Sequence, residues 1–404
     1  METNFEFRGE YYPSFFSIYI KGEFDIDFTK LSDNDIGTLA HEYCHYLQNI
    51  ETIAGIVSSQ SFFSLVLELR EYIRTHNNNI EIPIKDFNLS QETITNKASI
   101  DKYKGYSTPN RTIVFDDIEI SSNTEVPIVE FFNENAKVEK IEFGNLCVKE
   151  GMAHMFQQLF DSNVKHDTLP YLIVERICKK KCPKLLEAPK KIILLSFVSL
   201  ECCFNSGKTF INLINEVSSR EDYYLELTDL EFYKSIHESL KPIINGRQYE
   251  YLNEAKLETL ASLEETMENS LLSEMKYFKS IFDNIRGINV GETRGFAEIL
   301  TDESLNKYDI LTELFQNYKS PNIRTLGHKN IFPDTSSELI ELVGQKLVLD
   351  RVLSGKDVCT YLPFCQNQDD DITGDQCYGI EATCEQECPY TLTYKLWDIK
   401  SKSR

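Results

Sequence analysis

The stretch Leu39-Ala40-His41-Glu42-Tyr43-Cys44-His45-Tyr46-Leu47-Gln48 decides how this chain is read, because it sets H-E-x-x-H inside a run with helical spacing. Residues four apart on an α-helix sit about 40° apart around its axis, so His41 and His45 project from one face, one turn apart. Two neutral imidazoles so placed can bind one Zn²⁺ at about 2.0–2.1 Å. Glu42 is turned about 100° from His41, within reach of a water at the metal without being a ligand itself. A carboxylate there can take the proton of a water attacking a carbonyl and then pass it to the leaving amine.

The flanks support a helix. Leu31-Ser32-Asp33-Asn34-Asp35 carries the signals of a helix start, with Ser32 as N-cap, Asp35 at the third helical position and acids in the first turn. No proline interrupts from there to about Val57. Leu39, Tyr43, Tyr46, Ile50, Ile53 and Val57 recur at three- and four-residue spacing, and Ala40, Cys44, Leu47 and Ala54 widen the apolar surface. This predicts one buried helix reaching Val57. His41, Glu42 and His45 must then be paired or metallated, since buried polar groups without partners are costly. The plainer alternative is a pair of core histidines satisfied by hydrogen bonds, with Glu42 as a surface acid.

With these residues the chain resembles the zincin clan of metallopeptidases, over the motif helix and a candidate third-ligand helix rather than its whole length. Metzincin members place Gly three residues after the second histidine and His six after it; here those positions hold Gln48 and Glu51. On a continuing helix Glu51 points well away from both histidines. Di-iron carboxylate bundles need Glu-x-x-His on each of two helices, and only His45 has Glu three residues before it. Zincins of the gluzincin type take their third ligand from a Glu on a later helix. The resemblance carries that role to Glu150 in Leu146-Cys147-Val148-Lys149-Glu150-Gly151-Met152-Ala153-His154-Met155-Phe156, ahead of Glu292 and of His154. Small Gly151 and Ala153 are expected to let this helix approach the motif helix. His154 shares a face with Glu150, where thermolysin-like members carry an Asp behind a ligand histidine. There it could accept a hydrogen bond from a ligand imidazole or replace Glu150 as ligand.

The resemblance thus implies a zinc-dependent peptidase acting on a protein or peptide substrate. One catalytic Zn²⁺ sits on His41, His45 and Glu150, with Glu42 as general base. It also implies a Tyr, His or Arg that stabilises the oxyanion, which 21 tyrosines leave unassigned. A different class of function stands beside it: an acidic, helical interaction protein that keeps a zincin-like metal site without catalysis.

Composition bounds the setting. The 404 residues suffice for a sizeable core. Asp plus Glu is 64 against 42 Lys plus Arg, a net charge of −22, which disfavours nucleic acid and anionic membranes as partners. The N-terminus has neither a charged n-region nor an apolar h-region. The apolar run from Ile192 to Phe204 is too short and broken to span a bilayer. Eleven scattered cysteines suit reduced thiols better than a disulfide framework. The expectation is a cytoplasmic protein.

The predicted fold class is α+β. A zincin-like region of strands and active-site helices occupies 1–165, a mainly helical region packed on it occupies 166–355, and a Cys-rich tail occupies 356–404. Phe15 to Phe28 has strand composition with a Lys-Gly turn, and further strands are expected at Ile113–Ile120, Val126–Phe132 and Val138–Phe143. Zincins lay a strand beside the motif helix for extended substrate to pair with, and one of these or Phe15–Ile20 could serve. Ser61–Thr75 reads as helix, His76 to about Arg111 as loop or insertion, and Tyr249–Ile285 as one long helix or a helical pair. Helix starts are suggested at Pro183, Asp229 and Ser336.

Three patterns are imitations. Asn205-Ser206-Gly207-Lys208-Thr209 resembles the end of a P-loop, but the first glycine would fall at Cys202. Asp369 to Gly374 resembles half an EF-hand loop whose twelfth position is Ile380. The tail cysteines Cys359, Cys365, Cys377, Cys384 and Cys388 lack the two-residue knuckle of a zinc ribbon, so reduced thiols are preferred to a second, structural zinc.

Overall fold

Ser32 opens the motif helix as its sequence requires: the side chain accepts from the Asp35 N–H, with Asp33 and Asp35 in the first turn. The computed structural model describes residues 9–13, 16–22, 25, 27–76, 79–85, 87–106, 110–134, 136–202, 205–241, 243–244, 247–325, 337–355, 359 and 388–401. It is a mixed α+β fold with small sheets and a helical majority.

The front begins with an antiparallel hairpin, β1 (Gly9–Tyr12) and β2 (Ser17–Ile20), followed by α1 (Asp33–Glu51), α2 (Ile53–Thr75), β3 (Asn79–Ile80) and α3 (Gln91–Lys104). A three-stranded meander, β4 (Asp117–Ser121), β5 (Ile128–Asn133) and β6 (Ala136–Glu142), leads into α4 (Asn145–Gln158). Helices follow: α5 (Ile173–Lys181), α6 (Pro189–Cys202), α7 (Ser206–Ser219), α8 (Glu221–Glu226) and α9 (Asp229–Glu238). After a minimal hairpin, β7 (Ile243–Ile244) and β8 (Arg247–Gln248), come α10 (Leu252–Ser270), α11 (Lys276–Asn289), α12 (Phe296–Thr301) and α13 (Lys307–Tyr318). The last elements are β9 (Asn322–Thr325), α14 (Ser337–Ser354), α15 (Pro389–Leu396) and β10 (Lys400–Ser401).

Strand β9 returns to the front and pairs in parallel with β2, Ser17 opposite Asn322 and Ile20 opposite Thr325, giving the sheet order β1-β2-β9. One continuous core runs through both regions, from Leu39 and Leu47 of α1 to Met152 and Phe156 of α4, Leu195 and Phe197 of α6, and Leu311 and Leu314 of α13. Apolar burial of this extent is the main stabilising term of the fold.

Three local expectations change, and one open alternative is decided. The motif helix stops at Glu51 instead of running to Val57. Thr52 ends it by donating to the Gln48 carbonyl at 2.6 Å and accepting from the Gly55 N–H at 3.1 Å, so one side chain closes α1 and N-caps α2, and the pair bends by 78°. The stretch His76–Arg111 contains α3, whose N-cap Ser90 also donates to Glu68 at 2.6 Å. The hairpin partner of β2 is the preceding β1, not a strand after Lys21-Gly22. Tyr249–Ile285 is a pair: α10 and α11 are separated at Leu271–Met275, where the Glu341 carboxylate accepts from the N–H groups of Leu272 and Ser273 at 2.6 and 3.1 Å.

Among the described residues no single helix is long and apolar enough to cross a membrane; α1 and α2 meet the length only as a bent pair whose apolar side chains lie in the core. Asn205 caps α7 by accepting from Lys208 N at 3.2 Å, which accounts for the P-loop imitation. Cys359 is buried and Cys388 is a free thiol, while Cys365, Cys377, Cys384 and Asp369–Gly374 lie outside the described residues.

Candidate metal centre

Helix α1 is held by its tyrosines. The Tyr43 hydroxyl donates to the carbonyls of Leu314 and Lys319 at 3.0 and 3.1 Å, and Tyr46 donates to that of Tyr318 at 2.9 Å. The Tyr318 and Lys319 carbonyls end α13 and have no partner within that helix, so the two hydroxyls cap it. With that face fixed, His41 and His45 turn toward α4 and Glu42 toward β1. On α4, Gly151 serves a different neighbour from the one its size suggested: a Cβ there would come within 2.4 Å of Val174 on α5, so glycine brings α5 and the turn before it against α4.

The two helices bring His41, His45 and Glu150 together. Glu150 Oε2 is 3.5 Å from His41 Nε2 and 3.3 Å from His45 Nε2, and one donor atom from each residue lies within 4.8 Å of the others. Two donors about 2.0–2.1 Å from one ion at the tetrahedral angle stand about 3.3–3.4 Å apart. An imidazolium–carboxylate hydrogen bond would instead draw N and O to about 2.7–2.9 Å. The spacing fits a shared cation better than a shared proton. Two imidazoles and a carboxylate form a donor set of the kind that zinc takes.

Electrostatics agree. Burial alone would lower His45, but the Glu150 carboxylate overcomes it and raises the imidazole to about 9. Burial alone would raise Glu150, yet His45 and His41 hold its carboxyl well below the usual range. Without a metal ion, therefore, His45 keeps a proton at neutral pH, and a metal ion must displace it. Glu42 is buried beside the set; burial raises its carboxyl against the pull of His41 and His45. Strand β1 closes over it, since a Cβ on Gly9 would stand 2.8 Å from both Glu42 Oε1 and Thr38 Cγ2.

Around this set lie His166 and Tyr171, which the sequence did not announce, and His154, which it did. His166 and Tyr171, on the segment between α4 and α5, stack at 4.3 Å, with their rings 5.6 and 5.9 Å from that of His41. His166 Nε2 donates to Gln157 Oε1 at 2.8 Å, and the Tyr171 oxygen accepts from Asn110 Nδ2 at 3.0 Å. Burial raises the Tyr171 hydroxyl and lowers His166 to about 4, so both are neutral near pH 7. His154 is in ring contact with His166 at 5.0 Å, and burial, with His166 and His41, lowers it to about 3. Its Nε2 accepts from Gln158 Nε2 at 3.1 Å, while Nδ1 of His154 and Nδ1 of His41 are buried and hydrogen-bonded to no described protein group.

No known protein family, curated protein or solved structure matches this chain. The site's own geometry carries the functional argument. The other acids weighed as ligands lie elsewhere: Glu292 is exposed on the turn after α11, and Glu51 accepts from the Tyr318 hydroxyl at 2.6 Å. Among the described residues, the His41–His45–Glu150 group is the one set of three or more His, Cys, Asp or Glu that could hold a metal ion. His166 and Tyr171 carry no periodic signal, because a loop obeys no helical spacing and only tertiary folding brings it to α1.

Proposed function

We propose that this chain is a zinc-dependent peptidase of zincin-like architecture, hydrolysing peptide bonds in a protein or peptide substrate. The observation that carries the reading is the convergence of His41, His45 and Glu150 at metal-ligand spacing, with Glu42 buried on the same helix. Zinc bound by these three residues would polarise the scissile carbonyl and lower the pKa of the attacking water. Glu42 takes that water's proton and delivers it to the leaving nitrogen; the burial that raises its carboxyl suits a group that must hold the proton between the two events. Tyr171 receives its hydrogen bond from Asn110 on oxygen, which leaves its own proton to donate to the developing oxyanion. The edge of β1 away from β2 pairs with no described strand, and Gly9 of that strand packs on Glu42, so an extended peptide adding to β1 would run near it. The acidic surface suits basic or neutral substrates in a reducing, cytoplasmic setting.

The test is Glu42→Gln in zinc-loaded protein, read as cleavage of an unfolded-protein and mixed-peptide pool by mass spectrometry. Turnover should fall by about 10²–10⁴-fold while zinc content stays that of the wild type. Cleavage equal to that of the wild type would sink the mechanism. Loss of zinc in this variant would make Glu42 a ligand instead. A zinc-loaded wild type that cleaves nothing in the pool would favour the non-catalytic interaction protein.

A further inference from the structure

Gln48 lies on α1, three residues after His45, and its side chain is fully buried. Its Oε1 meets His45 Nδ1 at 2.9 Å, and its Nε2 donates to the backbone carbonyl of Lys149 at 2.9 Å. Lys149 is the residue before Glu150. The orientation of the amide is forced, because the Lys149 carbonyl can only accept and must therefore face the NH₂ group. The oxygen is then the atom left for His45, so His45 Nδ1 must be the donor. With Nδ1 protonated, the nitrogen that carries the metal-binding lone pair is Nε2, the atom turned toward Glu150.

We propose that Gln48 is the positioning residue of the metal centre: one amide fixes the tautomer of His45 and ties it to the α4 backbone beside Glu150. This inference rests on the metal-site reading above. Few side chains can do both tasks. The amide offers an acceptor to α1 and a donor to α4 at once, whereas an ionised carboxylate has only acceptors and an aliphatic chain has neither. A buried glutamine that served packing alone would need partners but not these two. Here both are tied to metal ligands, one through the ring of His45 and one through the residue next to Glu150. Second contacts of this kind orient metal-binding histidines, and their loss typically costs about 10–100-fold in affinity.

The experiment measures Zn²⁺ affinity by chelator competition in the full chain as wild type, Gln48→Met and Gln48→Glu, with long-range ¹H–¹⁵N NMR of His45 in the zinc-loaded proteins. Gln48→Met should bind zinc about 10–100-fold more weakly, and the His45 Nδ1 proton should lose its protection from exchange. Gln48→Glu keeps an acceptor for His45 and should retain the Nδ1–H tautomer. It lacks a hydrogen for the Lys149 carbonyl at neutral pH, so its affinity should fall between the other two. Wild-type affinity in Gln48→Met overturns the inference and leaves the metal site standing. Wild-type affinity in Gln48→Glu overturns the link to α4, and that variant decides if Gln48→Met fails to fold. A wild type that binds no zinc overturns both this inference and the peptidase reading.

Discussion

Helix α1 contributes to two buried polar clusters of opposite construction. Near its middle, His41 and His45 converge with Glu150, and no lysine or arginine of the described residues forms an ion pair with that carboxylate. At its C-terminal end, Glu51 lies in a network with Glu201 of α6 and Lys256 of α10. Lys256 Nζ meets Glu201 Oε1 at 2.5 Å, and His237 Nε2 stands 3.9 Å from the other oxygen. The second cluster brings its own cation and is closed by it. The first converges on a point that only an external cation or a proton can fill. Buried charge alone therefore does not mark a group that could hold a metal ion; convergence without an internal cation, at separations longer than a charge-assisted hydrogen bond, sets the first cluster apart.

The largest expected effect follows from removing a donor of the open cluster. Glu150→Ala should lose stoichiometric zinc, as His41→Ala does, a larger loss than the about 10–100-fold typical of groups behind the ligands. Glu292→Ala should keep it. Metal analysis of the purified variants decides, and full zinc in Glu150→Ala would reduce the first cluster to an ordinary ion pair. The closed cluster should respond in stability instead. Lys256→Met strands the buried Glu201 carboxylate and should cost about 3–5 kcal/mol in denaturant unfolding while zinc stoichiometry is unchanged. A near-neutral Lys256→Met would break the contrast, because it would show that Glu201 does not depend on that lysine.

The smallest effect concerns pH. Burial raises the Glu51 carboxyl from 4.5 to about 7, with Glu201 adding to the rise and Lys256 and the Tyr318 hydroxyl opposing it. The folded state thus holds a proton that the unfolded chain releases between those values. The contribution of Glu51 to stability is fully present below about pH 4.5 and is lost as pH rises through about 7. The loss is on the order of 3 kcal/mol. At saturating zinc, Glu51→Gln should match the wild type near pH 4.5 and exceed it near pH 8 in unfolding free energy. A constant difference across that range would mean that Glu51 does not titrate in the fold.

The sequence spoke most clearly where local rules govern. The Ser32 cap, the acids behind it and the apolar spacing from Leu39 to Ile50 placed α1 to the residue at its start, and the four-residue spacing of the histidines placed His41 and His45 on one side of it. The end of α1 was missed because Thr52 carries no obvious stop signal; its hydroxyl acts as both terminator and cap only once α2 turns away. Strands β4, β5 and β6 fell within a few residues of their expected places because period-two alternation is also local. By contrast, α3 has almost no apolar stripe and hid in a polar stretch; it is anchored by Ser90 and Thr93 on Glu68 of α2, a tertiary contact. Gln48 was in view only as a departure from the metzincin pattern, although its spacing from His45 already put both on one helix face.

The pairing of β2 with β9 has a consequence in time. Ser17 leaves the ribosome early and Asn322 late, and α13, whose last carbonyls hold Tyr43 and Tyr46, is made just before β9. Translation adds about 5–20 residues per second, so the motif helix exists for many seconds before its supports do. Contacts between such distant parts of a chain also form slowly. A nascent chain thus carries both histidines and Glu150 long before α1 can be fixed against its neighbours, and the placement of the cluster is completed only after α13 and β9 have been made.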